Sequence, residues 1–358
     1  MSDTGTMLTD SVRRLLLRHA GLPAAHGFEA RTLPAPLWRD CVEAGFARAL
    51  RCDDAAPEEA PDASARAAVR NGTAILRECA YHAAPIPLAE AMLANWLADA
   101  AGWPADDGIA TVALLPCGGA VGTAGTRLER VPWGAAADAV YALAGDGDAC
   151  RVVRHVAPWP AALPGINLAG EPRDTLVFEA PAPAALAAAA GRVDAPTAWA
   201  LGALLRSAQM VGAMECTLDL ALEHARTRVQ FGRPIGSFQA VQQMLAQQAN
   251  HVAAAAAALD LAVDRWATGD AILHAAIAKS RTGEAAGVVA EISHQVLAAM
   301  GFALEHPLQR ATRRLWSWRD EFGNEAYWND RIGGAFLALP ADAVWPALAD
   351  GTLADAAR

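Results

Sequence analysis

Apolar residues recur at three- and four-residue steps through most of the C-terminal half. Leu201, Leu204, Leu205, Ala208, Val211, Met214, Leu218, Leu222 and Ala225 describe one face of a long helix. Asp194 is placed as its N-cap, with Pro196 in the first turn. A second helix follows from Phe238, Val241, Leu245, Ala249, Val252, Ala256, Leu259, Val263 and Trp266, close to a heptad seam. Gly269 is expected to end it and Asp270 to cap a third helix running to about Met300. Ala276, Ser280, Gly283 and Gly287 give that third helix a small-residue face suited to close approach. Two shorter helices, near 307–318 and 326–337, complete a bundle with short connections.

The first hundred residues also read as helical. Leu8, Val12, Leu15 and Leu16 mark one face, and Leu37, Trp38, Cys41, Val42 and Phe46 another. Pro23, Pro34 and Pro36 interrupt them, and residues 53–63 form an acidic, proline-broken loop. A third helix begins near Asp62, and a fourth carries Leu88, Met92 and Trp96. From Gly108 the period shortens. Residues 109–115, 138–143, 150–156 and 175–179 are strand-like runs between Gly- and Pro-rich turns. The expectation is an α+β chain, mostly α: an N-terminal helical domain (1–107), a small antiparallel β domain (108–193), a C-terminal helical bundle (194–340) and a tail (341–358).

Composition narrows the chemistry. Hydrophobic residues make up 54% of 358, much of it alanine, which suits closely packed helices. A formal charge of −10 without a Lys/Arg cluster argues against nucleic acid. No apolar run approaches the roughly 20 residues needed to span a bilayer, and Arg13, Arg14 and Arg18 near the N-terminus precede no long apolar run and cleavage site. Six scattered cysteines (Cys41, Cys52, Cys79, Cys117, Cys150, Cys216) read as free thiols in a reducing cytoplasm. His251, His274 and His294 are lone helical histidines, expected on polar surface, and no metal spacing or nucleophile motif stands out. The glycines of CGGAVGTAG form only a loose dinucleotide fingerprint, because RLERVPWG follows where a helix should open. Any chemistry in this chain must therefore be carried by a cofactor.

One connector is richer than a connector needs to be. In RTRVQFGRPIGSFQAVQQ, Arg228 can fork onto a phosphate, Phe231 can pack on a ring, Gly232 and Gly236 allow close backbone approach, and Gln239 offers an amide in the first helical turn. Ser237 is expected to cap the helix that follows.

This run resembles the signature of the flavin-dependent acyl-CoA dehydrogenase family, an R-x-QFG-x-PI-x-x-FQ loop between the first two helices of a C-terminal four-helix domain. In register, HQVLAAMGFALEHPLQRATRR resembles the family's Q-x-x-GG-x-G-[FY]-x-x-E-x-P-x-x-R segment, and GTRLERVPWGAAADAVYAL resembles a segment of its middle domain. The resemblance implies FAD, held by Arg228, Phe231, Gln239, Gln295 and Ala299 across a subunit boundary, with Trp133 near the flavin ring. It implies an acyl-CoA substrate undergoing α,β-desaturation in fatty acid or lipid catabolism, and a homodimer or a heterotetramer with a paralogous subunit. Several positions depart from the pattern. The paired glycines are Ala298 and Ala299, the Ser/Thr-rich flavin loop has no counterpart, and the two family positions for the catalytic carboxylate fall on Phe322 and Gly202. Glu321 and Glu325, with Asp320, are the nearby carboxylates. The FGNEAYW turn resembles an FGD-type variant in bacterial dehydrogenases for bulky acyl-CoAs, where two different subunits assemble. Three readings remain open: a dehydrogenase, a non-catalytic subunit completing a partner's site, or a flavin-free binding protein.

Overall fold

The computed structural model describes residues 3–19, 32–52, 61–114, 126–145, 150–178, 186–189 and 193–350. The glycine run 117–125, most of the acidic loop and Cys117 lie outside them. The chain forms two compact units, Met1–Ile75 with Pro85–Gly202, and Leu76–Ala84 with Ala203–Arg358.

The first unit opens with α1 (Asp3–Arg18), α2 (Ala35–Glu43), α3 (Pro61–Tyr81), whose end belongs to the second unit, and α4 (Leu88–Ala100). Helix α4 is apolar on nearly every side, so it is a core helix. Its one buried amide is satisfied: Asn95 donates to the carbonyls of Ala47 and Asp106 and accepts from the Asp106 N–H at 2.8 Å. The β region holds β1 (Ala110–Ala113), β2 (Thr126–Pro132), β3 (Ala139–Ala144), β4 (Arg151–Val156), β5 (Ala161–Leu163), β6 (Arg173–Phe178) and β7 (Leu186–Ala189). They form two sheets, ordered β1-β3-β4-β7 and β2-β6-β5. Leu128, Val131, Val140, Leu176 and Phe178, drawn from both sheets, share one core cluster.

Two features of this region escape the alternation rule. Strand β1 pairs with β3 in parallel, because the chain visits the other sheet as β2 before returning beside β1; the remaining printed strand pairs are antiparallel. Strand β2 is absent from the sequence reading because its buried residues, Leu128 and Val131, are three apart. The register shifts between them, and Arg130 there adopts φ 55°, so the inserted residue resets the period.

The second unit takes the rest of α5 (Ala195–Thr227), then a hairpin of β8 (Val229–Gln230) and β9 (Arg233–Pro234). After it come α6 (Gln239–Asp264), α7 (Ala271–Leu297), α8 (Leu308–Asp320), α9 (Glu325–Leu337) and α10 (Ala341–Asp350). The Asp194 cap forms as expected, its carboxylate accepting from the Thr197 N–H at 2.8 Å. Gly269 does not end α6, which stops at Asp264. Asp270 does sit at the start of α7, but its carboxylate bonds Thr268 and the His274 ring rather than helix N–H groups. His274 is thereby a core residue and not a surface one. The stretch 341–350, read as tail, forms α10, whose Val344 and Ala347 pack with Leu273 and Ile277 of α7.

Close packing here rests on small residues. A Cβ on Gly212 of α5 would collide with the Arg77 carbonyl of α3, and Arg77 in turn pairs with Glu215 of α5, Nε to Oε2 at 2.9 Å. Gly283 of α7 does not serve an open seam: the Glu325 carboxylate occupies the space its Cβ would fill, and Arg319 lies over Gly287. Helix α7 with its 3-10 extension (Ala271–Phe302) is, against the sequence expectation, long and apolar enough by length and composition to cross a membrane. Half of that apolar window is buried in this chain, which is how a core helix passes the same test.

Candidate functional site

Two places in the second unit concentrate the predicted site residues. The first is the end of the bundle where α5 gives way to α6. Arg228 follows the last turn of α5, and its carbonyl accepts from Ile235 N–H at 2.9 Å, closing the hairpin. Phe231 and Gly232 occupy the tip with φ of 51° and 78°, the pattern of a two-residue turn with both central residues left-handed. That conformation is free for Gly232 and costs about 1–2 kcal/mol for Phe231. The strained phenyl ring is 93% exposed, braced edge-on by Phe238, which in turn carries the Arg233 guanidinium 4.3 Å from its ring centre.

Below the hairpin, Ile235 and Val241 pack on Ala225, Val296, Leu297 and Leu308. That cluster fixes the hairpin against the ends of α5 and α7 and the start of α8. Arg228, Gln239, Gln295 and Ala299 are all exposed at these elements, and Arg228 has no ion pair among the described residues. Ser237 corrects the sequence reading: its hydroxyl donates to the Pro234 carbonyl at 2.7 Å. An added 3-10 turn (Ile235–Ser237) moves the cap position to Phe238. Ala298 holds φ 50° and ψ −138°, a conformation natural to glycine.

The second place is the turn between α8 and α9, where the sequence puts Phe322. Its backbone is left-handed at both Phe322 (φ 56°) and Gly323 (φ 90°), and a Cβ on Gly323 would strike the rings of Tyr327 and Trp328. Asn324 caps α9 by accepting from Tyr327 N–H, and the Trp328 indole donates to the Phe322 carbonyl at 2.9 Å. From α7, Lys279 donates its ammonium to the carbonyls of Arg319 (2.6 Å) and Gly323 (2.8 Å). Sequence reasoning missed this residue, because nothing in AIAKSRTG distinguishes a core lysine from a surface one. Burial pulls its pKa down to about 7, against the upward pull of Glu325, Glu321 and Asp320.

Neither candidate carboxylate stands apart for proton abstraction. Glu321 is half-buried and pairs with the buried Arg206 of α5 at 2.8 Å. Glu325 pairs with Arg319 at 2.7 Å. The Arg206 guanidinium also sits 5.8 Å from the Phe322 ring centre and 5.9 Å from that of Trp318. Gly202, the other family position, is buried on α5 and carries no side chain. In the first unit, Trp133 is 5% exposed with φ 53°, its backbone N–H donating to the Pro172 carbonyl.

Helical bundle, two-sheet β region, QFG hairpin and FGN turn together define an acyl-CoA dehydrogenase fold, and comparisons with known proteins agree. Residues 191–332 match the family model "Acyl-CoA dehydrogenase, C-terminal domain". Acyl-CoA dehydrogenase IpdE2 of Mycobacterium tuberculosis is 32% identical over 254 residues, 70% of this chain and 73% of that protein. A structure of the ChsE4-ChsE5 complex from Mycobacterium tuberculosis superposes with a TM-score of 0.76 at 25% identity, covering 95% of this chain and 99% of that one. The chain belongs to the acyl-CoA dehydrogenase family. Membership alone does not name a reaction: a 3-sulfinopropanoyl-CoA desulfinase of Paraburkholderia xenovorans is 37% identical over 130 residues, 34% of this chain and 33% of its own length.

Proposed function

We propose that this chain is a FAD-binding subunit of acyl-CoA dehydrogenase type that acts on an acyl-CoA thioester together with a paralogous partner. The hairpin end suits a diphosphate. Arg228, exposed and with no carboxylate partner among the described residues, supplies a cation, the amides of Gln239 and Gln295 supply donors, and the backbone at Ala298 is glycine-like. Arg228 would hold the phosphates and Phe231 would cover an adjoining ring. When bound, FAD would supply a hydride acceptor for the β-carbon of the thioester.

What this chain's own residues withhold is the proton acceptor for the α-carbon. The single observation that carries the two-subunit reading is that Glu321 and Glu325 are both engaged by arginines around a turn whose central side chain is Phe322. A carboxylate bonded to Arg206 or Arg319 presents its oxygen to a guanidinium rather than to a thioester α-carbon. Resemblance to a chain from a two-component complex, ChsE4-ChsE5, supports the same assignment.

The test is an assay of the purified single chain with a panel of acyl-CoAs, straight, branched and polycyclic, and an artificial electron acceptor. We expect flavin to copurify and turnover to be about 10²–10⁴-fold below that of an enzyme with a placed general base. Brisk turnover lost in Glu321→Gln or Glu325→Gln would put the base in this chain and overturn the proposal. Absence of flavin absorbance would favour a flavin-free binding protein instead.

A further inference from the structure

Strand β4 places a histidine where its neighbours place hydrocarbon. His155 is 1% exposed. It stands opposite Val140 in the β3–β4 ladder, and its ring lies 5.1 Å from that of Phe178 on β6, so it sits between the two sheets. Val140 and Phe178 belong to the core cluster that both sheets share, and the Trp159 ring meets Phe178 edge-on at 6.5 Å. Both ring nitrogens of His155, Nδ1 and Nε2, are buried without a hydrogen-bond partner. A neutral imidazole carries one donor and one acceptor, so two polar groups are stranded in an apolar layer, which native cores rarely tolerate.

No charge is placed to answer a proton on this ring among the described residues. On β4 itself Arg151 is exposed, while Arg154 lies on the opposite face and bonds Asp106 together with Tyr141. Asp138, just before β3, is exposed and accepts from the Ile109 N–H at 2.8 Å. On β6, Asp174 accepts from the backbone N–H groups of Ala135 and Gly165, and Arg173 pairs with Glu171. Arg127, Glu129 and Arg130 of β2 are exposed, and β1, β5 and β7 contain no ionisable residue. Burial alone accordingly holds the His155 pKa below its ordinary value. His274 shows the contrast: it is also buried, but its Nε2 bonds the Asp270 carboxylate at 3.0 Å.

We propose that His155 is a proton-operated latch on the two-sheet β region: parting the sheets exposes the ring, one proton is taken up, and acid thereby opens this region. In the closed sandwich the ring stays neutral, because a charge there would have neither water nor a counter-ion. Once the sheets part it becomes an ordinary histidine, titrating near about pH 6.5. The open form then binds more protons than the closed one. Stability of the closed form is therefore fully present above that pH and is lost as pH falls below it, until the closed ring itself protonates. The latch lies in the first unit and does not depend on the cofactor reading of the second.

The experiment is hydrogen exchange of the full chain between about pH 7 and about pH 5, with the intrinsic acid dependence of exchange divided out, in wild type, His155→Leu and His155→Gln. Leucine removes the polar ring, whereas glutamine keeps a buried polar group that does not titrate. Expected is an opening constant for the amides of β3, β4 and β6 that rises roughly twentyfold over this range in wild type and stays flat in both variants, with the slope at α7 the same in all three proteins. A flat wild-type response at the strands overturns the latch, and so does a slope that survives in either variant. If the α7 slope falls along with that of the strands, the sheets part only when the whole chain unfolds, and a local latch is ruled out. Should the variants not fold, the wild-type chain decides: a rise at the strands about tenfold or more above that at α7 supports the latch, and any smaller excess overturns it.

Discussion

The hairpin end of the helical unit and the turn between α8 and α9 are built from the same kinds of residue and keep opposite electrostatic accounts. Both have an aromatic residue in left-handed backbone followed by glycine, Phe231-Gly232 and Phe322-Gly323, and both have arginine close by. At the turn three charges are answered within the chain: Arg206 by Glu321, Arg319 by Glu325, and the Lys279 ammonium by two carbonyls. At the hairpin Arg228 has no ion pair among the described residues, and Phe231 stands in solvent. A region that has spent its charges on itself is a scaffold. One that has not has them available for a ligand, and this difference, more than residue type, separates binding surface from structural core.

The comparison predicts opposite outcomes for arginine removal. Arg206→Met should destabilise the fold by about 3–5 kcal/mol, because it strands Glu321 in a mostly buried position. Adding Glu321→Gln should recover a large part of that loss, measured by urea unfolding. A small effect of the single variant would mean that the pair is solvated and the turn is not a closed electrostatic unit. Arg228→Ala should leave the unfolding free energy within about 0.5 kcal/mol of wild type, while FAD affinity drops by about one to two orders of magnitude. Loss of stability without loss of FAD affinity would reverse the distinction between the two regions. Smallest is Ala298→Gly, which relieves a positive φ and should raise stability by about 1 kcal/mol. Because it also removes a methyl beside Gln295, we expect FAD affinity to rise or hold, never to fall; a decrease would show that the methyl itself contacts the cofactor.

Much of the helical unit was legible because its signals are local. Leu201 to Ala225 and Phe238 to Trp266 repeat with the helical period, and α5 and α6 follow them closely. The cap at Asp194 formed for the same reason, since a cap needs only its own next three residues. Local reading failed where a neighbour changed the period or competed for the group. The bulge in β2 hid a strand, the 3-10 turn after Pro234 took the cap from Ser237, and Thr268 with His274 claimed the Asp270 carboxylate.

By itself, then, the sequence determined the family, the order of helices α1 to α9, and the two short motifs where chemistry should be sought, because periodicity and motif spacing are properties of neighbouring residues. Tertiary structure alone decided what the charges in those motifs are for. Glu321 meets Arg206 across more than a hundred residues of chain, the space beside Gly283 is filled by Glu325, and Lys279 reaches carbonyls of α8 and the turn after it, while Arg228 meets no carboxylate among the described residues. Whether a charge is satisfied depends on which distant group the fold brings within about 3 Å, and no pattern along the chain encodes that distance.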